Sequence, residues 1–234
     1  MKGVEYGLKE FKDRLCSVCK LFTDESTGFV PAYKFFPNGK AHNMRNALDI
    51  CRELGFEDEF ADMIVMDAVT FNQDRHLGNF GFLIDNDTFE IKSFAPLFDF
   101  NVSMLCFAMD ADLETDAALS DYFRRNDVGH KLDGDFIEVA RAFMTPKRRE
   151  RMAKTIDLPR HPLYNLPDRR MERLDAIVRQ NYDCIRNNRD PGFGKAQKRP
   201  AELADATNTL LDAANDMQDG LDTHTDSHLD GPKT

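Results

Sequence analysis

A short polar stretch, residues 71–81, holds the side chains of this sequence that are best suited to chemistry. It contains Asp74 and, five positions later, Asn79, and a further acid, Asp99, follows in a later apolar segment. In metal-assisted phosphoryl transfer, one Asp orients the attacking hydroxyl while an Asn and a second Asp hold Mg²⁺ against the nucleotide phosphates. An amide oxygen and one carboxylate are a sufficient protein contribution, because Mg²⁺ usually keeps several waters. These residues therefore form a candidate phosphoryl-transfer site.

Apolar elements flank the polar stretch and must position it. Residues 57–70 show helical periodicity, and this predicted helix leads directly to Asp74. Residues 81–84 and 90–94 are predicted strands, and the Asp-Asn-Asp-Thr sequence between them is typical of a hairpin turn. The hairpin is expected to place Asp99 opposite Asn79.

The motifs resemble those of a known family. Asp74-Arg75-His76 followed by Asn79, and the later Phe98-Asp99, resemble the catalytic and metal-binding loops of HipA-like kinases, with phosphatidylinositol kinases as more distant relatives. The sequence Arg-His-Pro-Leu-Tyr-Asn-Leu-Pro at residues 160–167 resembles the closing segment of bacterial HipA-like C-terminal domains. Together the similar segments cover roughly residues 40–186.

The resemblance implies a fold and a set of roles. The fold would be mainly α (α+β), a helical kinase C-lobe with a small β-hairpin carrying the catalytic and metal loops. Asp74 would be the catalytic Asp, with Arg75 and His76 shaping the loop or touching phosphate, and Asn79 and Asp99 would bind the cofactor and its metal. The implied cofactors are ATP and Mg²⁺, the implied substrate is a Ser or Thr hydroxyl of a protein, and the implied setting is a toxin–antitoxin pair.

Composition divides the chain into three predicted parts. Residues 1–42 are predicted to be an N-terminal remnant or linker, residues 43–188 the kinase C-lobe, and residues 189–234 an exposed helix followed by a disordered acidic tail. Apolar spacing predicts a short helix at residues 6–18 and a weak strand at residues 29–36. Further helices are predicted after the capping residue Asn43 and at residues 113–125, 135–143, 146–156, 167–188 and 201–217.

A kinase nucleotide lobe needs a phosphate-covering Gly-rich loop and a lysine on a strand. Before Asp74 the sequence has no Gly-rich loop, and Lys34 is the only candidate lysine, better explained as an ordinary strand-edge residue. The nucleotide lobe is therefore expected to be truncated from this chain or supplied by a partner polypeptide. The chain alone is expected to be weakly active or inactive.

Bulk composition excludes several classes of protein. With 234 residues, 41% hydrophobic content and 19 Phe, the chain can build a sizeable core. Its net charge of −10 argues against direct nucleic-acid binding, because phosphate contacts need clustered Lys and Arg. The sequence shows neither a membrane-spanning apolar run nor the order of a secretory signal, so a cytoplasmic protein without membrane contact is expected.

Other chemistry-bearing residues are better explained structurally. The five cysteines are sparse and odd in number, so Cys16 and Cys19 are expected to be half-buried thiols at a helix end rather than zinc ligands. His130 and His161 are expected to be structural histidines. The basic run at residues 147–151 could contact a phosphate or an acidic partner, but a solvated helix face is favoured.

Alternatives remain for the central motif. Asp74 could pair with Arg75 while Asn79 closes a turn, which would be a purely structural capping network. A buried acid–amide cluster is costly unless fully satisfied, which favours a kinase site. Three functions are then open: a Ser/Thr kinase lobe, a degenerate non-catalytic domain that binds a partner, and a lipid kinase, which the lack of a basic membrane-facing surface disfavours.

Overall fold

A computed structural model describes residues 2–132, 134–153, 156–189 and 191–193. The strands are β1 Tyr6–Phe11, β2 Arg14–Cys19, β3 Thr27–Pro31, β4 Gly81–Asp85 and β5 Ile91–Phe94. The helices are α1 Met44–Glu53, α2 Glu57–Thr70, α3 Asp110–Leu113, α4 Asp116–Asn126, α5 Phe136–Phe143, α6 Pro146–Arg151 and α7 Asp168–Arg186. The predicted mainly helical fold with small antiparallel sheets is confirmed. The helix predicted at residues 201–217 lies outside the described residues.

The two helices before the candidate site begin and end where local sequence signals place them. Asn43 caps α1, because its side-chain oxygen accepts a hydrogen bond from the Asn46 N–H at 2.9 Å. Gly55, with a φ of +79°, ends the turn that follows α1. The α2 helix, buried on most of its surface, packs against α1, α5 and α7. It is therefore the central element that delivers the chain to Asp74.

The second sheet frames the candidate loop with three antiparallel strands in the order β3-β4-β5. Gly81 pairs with Pro31, and a Cβ at Gly81 would collide with the Val30 carbonyl oxygen, so this close approach requires glycine. The predicted turn between β4 and β5 forms around Asp85. Lys92, at 2.8 Å, and backbone N–H groups of the turn hold the pKa of the Asp85 carboxyl at about 2. The boundary predicted at residue 42 stays a prediction, although β3 pairs with β4 across it.

The helix predicted at residues 6–18 is wrong, because β1 and β2 form an antiparallel hairpin there. Lys12 and Asp13 lie at its tip with φ of 49° and 59°. Two successive residues in the left-handed region are what a tight two-residue hairpin turn needs. The strand predicted at residues 29–36 is also shorter than expected, since β3 ends at Pro31 and a 3₁₀ helix, Ala32–Phe35, follows.

The hairpin also corrects the expectation for the first two cysteines. Cys16 pairs with Lys9 and Cys19 with Tyr6, so both thiols lie on a strand rather than at a helix end. Residues three apart on a strand project to opposite faces, roughly 10 Å apart along the chain. These two thiols therefore do not share a disulfide or a zinc ion.

One hydrophobic core surrounds α2 and is rich in phenylalanine. Phe82 packs against Phe35, Phe56 and Phe94. The basic run at residues 147–151 contributes to this packing, because Arg148 is buried and pairs with acids of α2. The prediction that this basic run forms a solvated helix face is therefore wrong for Arg148. Among the described residues, no helix combines the length and apolar character needed to cross a membrane.

Candidate active site

The candidate site begins where α2 stops. Phe71 ends the helix in the left-handed region with a φ of 54°, and the Asn72 N–H donates to the Asp67 carbonyl at 2.8 Å. A non-glycine residue in this conformation costs roughly 1–2 kcal/mol. The buried Phe71 ring, 5.4 Å from the Phe123 ring and 6.0 Å from the Phe136 ring, offsets that cost through packing. The direction of the loop is thus set by the core.

Hydrogen bonds within the loop make a compact turn. The Asp74 carbonyl accepts from the His76 N–H at 2.8 Å and from the Asn79 side-chain amide at 2.9 Å. The exposed His76 accepts at Nδ1 from the Gly78 N–H at 2.9 Å. The half-buried Asp74 carboxylate accepts no hydrogen bond from the described part of the chain. It is therefore available to a substrate hydroxyl.

Arg75 is fully buried and connects three parts of the molecule. Its Nε and Nη2 each donate to the Asp67 carboxylate at 2.9 Å, which is a bidentate ion pair. Its Nη1 donates to the Asn79 carbonyl at 2.6 Å and to the Phe98 carbonyl at 2.8 Å. One nitrogen therefore holds the Asn79 loop beside the segment that carries Asp99.

Asp67 is the buried anion that neutralises Arg75. It also accepts from the Asn72 side-chain amide at 2.9 Å and lies 3.3 Å from His130 Nε2. His130 Nδ1 accepts from the Leu132 N–H, so Nε2 is the nitrogen that donates to Asp67. Burial by itself raises the pKa of Asp67, but the His130 hydrogen bond and the charge and hydrogen bonds of Arg75 outweigh it and hold the pKa below its usual value.

The two predicted metal ligands offer hard oxygen atoms. The Asn79 side chain donates through its nitrogen to Asp74, and within the described residues its oxygen accepts nothing. The Asp99 carboxylate likewise accepts no hydrogen bond from the described ranges, while its backbone has a φ of 58°. One carboxylate and one amide oxygen fit Mg²⁺, whose remaining positions are filled by phosphate and water. No group of three or more His, Cys, Asp or Glu in the described chain could hold a metal ion.

The structure places the predicted catalytic residues in two different environments. Asp74 and His76 reach the surface, whereas Arg75 lies beneath the loop with its Cζ 4.9 Å from the Phe100 ring centroid. The structural capping network is wrong in its Asp74–Arg75 pair, because Arg75 pairs with Asp67. Its other part is confirmed, since the Asn79 side chain closes the turn by donating to the Asp74 carbonyl. Arg75 therefore contacts the loop from below, through the Asn79 carbonyl.

Sequence reasoning missed the residues that support Arg75. Asp67 is a lone acid inside the apolar run of α2, and a buried acid needs a cationic or hydrogen-bonding partner. That signal could have identified it. No local signal pointed to His130, which is 63 residues away from Asp67. His130 and His161 are both structural histidines as expected, since His161 Nδ1 accepts from two backbone N–H groups.

We expect the Asp67 network to make stability depend on pH in the acidic range. Because the folded-state pKa of Asp67 is lowered, its stabilising contribution is complete above the unfolded pKa, about 3.9, and is lost as pH falls below it. Urea denaturation of the wild type and of Asp67→Asn between pH 3 and 7 measures this. The wild type should be more stable at neutral pH, and the difference should shrink below about pH 4. A difference that stays constant down to pH 3 would contradict the assignment.

A cleft of about 500 Å³ lies between α3 and the start of α7, and none of the predicted site residues lines it. Arginines of α7 pair with acids from the other side: Arg169 with Glu114, Arg170 with Asp110, and Arg173 with Asp116. The charges that line the cleft are thus largely paired within the chain. The cleft is separate from the Asp74 loop.

Comparisons with known proteins define the class of fold. No protein-family model matches the sequence, and no curated protein matches it. The crystal structure of the Helicobacter pylori proinflammatory kinase CtkA is similar, with a TM-score of 0.60 at 19% sequence identity, over 80% of this chain and 75% of that chain. At 19% sequence identity, the similarity shows the fold alone. The chain has a protein-kinase-like fold.

Proposed function

We propose that this chain is the catalytic lobe of a HipA-like Ser/Thr kinase, which transfers the γ-phosphoryl group of ATP to a protein hydroxyl with Mg²⁺. One observation carries the proposal: Arg75 Nη1 binds the carbonyls of both Asn79 and Phe98. The segments that carry Asn79 and Asp99, the two oxygen-bearing residues that phosphoryl transfer requires, therefore adjoin each other.

Each residue has a distinct role in the proposed reaction. Asp74 orients the attacking hydroxyl and accepts its proton, since the residue is half-buried and its carboxylate accepts no hydrogen bond from the described residues. Asn79 and Asp99 hold the metal, and His76 and Arg75 shape the loop. When bound, Mg²⁺ with ATP supplies charge neutralisation at the phosphates and the leaving group. Positioning by these residues is then the main contribution of the chain.

A second candidate function is a degenerate kinase-fold domain that binds a partner without catalysis. Lys34, the candidate nucleotide lysine, favours it, because this residue is exposed on the 3₁₀ helix with its Nζ 5.2 Å from the Tyr33 ring centroid. In active kinases the corresponding lysine lies on a strand and contacts phosphates. A partner polypeptide that supplies a nucleotide lobe would reconcile this feature with catalysis.

We expect the chain alone to show slow, Mg²⁺-dependent transfer, well below the roughly 1–100 s⁻¹ of typical kinases. The measurement is incorporation of label from γ-labelled ATP into the chain itself and into a generic Ser/Thr substrate, with Mg²⁺ and with excess chelator. Label on Ser or Thr that requires Mg²⁺ supports the kinase.

Two results would count against the kinase in different ways. Binding of ATP with no label after prolonged incubation supports the degenerate domain. Equal labelling with and without Mg²⁺ contradicts the metal-dependent site itself.

A further inference from the structure

The N-terminal segment runs beside the Asp99 segment rather than away from the fold. The Val4 N–H donates to the Leu97 carbonyl at 2.8 Å, and the Leu97 N–H donates to the Lys2 carbonyl at 2.9 Å. Gly3 and Leu97 thereby form a parallel bridge. The backbone two residues before Asp99 is thus fixed by residues 2–4.

Two further side chains from the N-terminal part contact Phe98, the residue between Leu97 and Asp99. The Phe98 ring lies 5.5 Å from the Phe22 ring and 5.5 Å from the Phe29 ring, and these two rings contact each other at 5.8 Å. Aromatic pairs at such separations are favourable beyond the area that they bury. Phe98 is therefore held by its ring from the N-terminal side and by its carbonyl from Arg75.

The last contact is made to Asp99 itself. The Asp99 N–H donates to the Tyr6 hydroxyl oxygen at 3.2 Å. Asp99 has a φ of 58°, in the left-handed region, which few residues with a side chain adopt and Asp adopts more often than most. Tyr6 is 49% exposed on β1, so its ring is not a core side chain. Its specific contact with the site is the hydrogen bond of its hydroxyl.

We propose that residues 2–29 form a positioning element for the metal-binding Asp99. Within this element, Tyr6 contacts Asp99 directly through its hydroxyl. The proposal rests on the proposed function, because it assigns Asp99 to the metal. Successive residues 97, 98 and 99 are each held by this element through backbone, ring and hydroxyl contacts. The segment predicted to be a remnant or linker is then part of the site.

A matched control exists on the same hairpin. The Tyr164 hydroxyl donates to Glu10 Oε1 at 3.2 Å. Glu10 is close to the hairpin tip, whereas Tyr6 is at the other end of β1. Tyr164→Phe removes one hydroxyl contact to the hairpin, as Tyr6→Phe does, but leaves the Asp99 N–H bonded. Comparison of the two variants separates positioning of Asp99 from general loosening of the hairpin.

The test measures Mn²⁺ affinity in the presence of ATP by electron paramagnetic resonance, for the full chain and its variants. Tyr6→Phe should weaken Mn²⁺ binding about three- to tenfold, the range expected for one hydrogen bond, and should lower the melting temperature no more than Tyr164→Phe does. Tyr164→Phe should bind as the wild type does, and Asp99→Asn should lose binding. Where transfer is measurable, high Mg²⁺ should restore the rate of Tyr6→Phe but not that of Asp99→Asn.

The outcomes separate the two claims. Unchanged Mn²⁺ affinity in Tyr6→Phe, with loss in Asp99→Asn, overturns the positioning element and leaves the proposed function intact. Equal weakening in Tyr6→Phe and Tyr164→Phe also overturns it, since the hairpin as a whole would then be responsible. Wild-type binding that is absent, or that does not need Asp99, overturns the proposed function and this proposal with it.

Discussion

Replacing Asp74 with Asn is expected to lower the phosphoryl-transfer rate by about 10²–10⁴-fold while leaving ATP affinity nearly unchanged. The amide is isosteric but cannot accept the proton of the attacking hydroxyl. Folding should be unaffected, because within the described residues the Asp74 carboxylate makes no hydrogen bond that the substitution would break. Initial rates of label transfer from γ-labelled ATP measure the effect.

The control for this substitution is Asp87→Asn in the turn between β4 and β5. Asp87 is exposed, and its bonding in the turn is through its backbone N–H. This variant should transfer phosphate at the wild-type rate. If Asp74→Asn and Asp87→Asn have the same rate as the wild type, Asp74 is not the catalytic residue.

Arg75→Met is expected to destabilise the fold by about 3–5 kcal/mol, because it leaves the Asp67 carboxylate buried without its cation. It also removes the donor that joins the Asn79 and Phe98 carbonyls, so any folded fraction should bind Mn²⁺ with ATP poorly. The free energy of unfolding in urea at neutral pH measures the first effect.

Two further variants make the Arg75 result specific. Arg124→Met breaks an exposed pair with Asp121 and should change stability by no more than about 0.5 kcal/mol. The double variant Asp67→Leu with Arg75→Met removes both buried charges and should be more stable than Arg75→Met alone. If Arg75→Met costs no more than Arg124→Met, the buried pair does not hold the site together.

The elements next to the candidate site could be predicted because their signals are local. Asn43 and Gly55 delimit α1, α2 spans the predicted residues 57–70, and the turn at Asp85 joins two predicted strands. Capping, helical periodicity and turn chemistry each act within a few residues. These signals were sufficient to place Asp74 and Asn79 on one loop.

Local patterns are insufficient where they fit two structures or where the partners are distant in sequence. The apolar residues between Tyr6 and Val18 fit a helix face, but the left-handed pair Lys12 and Asp13 reverses the chain into a hairpin. For Arg75, the neighbour Asp74 is the partner that local sequence suggests, but the observed partner is Asp67, eight residues earlier in α2. The contact between Tyr6 and Asp99 joins residues 93 positions apart, which no local pattern encodes.

In the proposed site, Asn79 and Asp99 share one metal ion that holds a nucleotide. A crystal structure of the chain with Mg²⁺ and a non-hydrolysable ATP analogue tests this most directly. We expect an ion with the Asn79 side-chain oxygen and an Asp99 carboxylate oxygen among its ligands, at about 2.0–2.1 Å, and with phosphate oxygens and water completing its coordination. An ion and nucleotide bound elsewhere, or an Asp99 side chain directed away from Asn79 with the nucleotide in place, would contradict it.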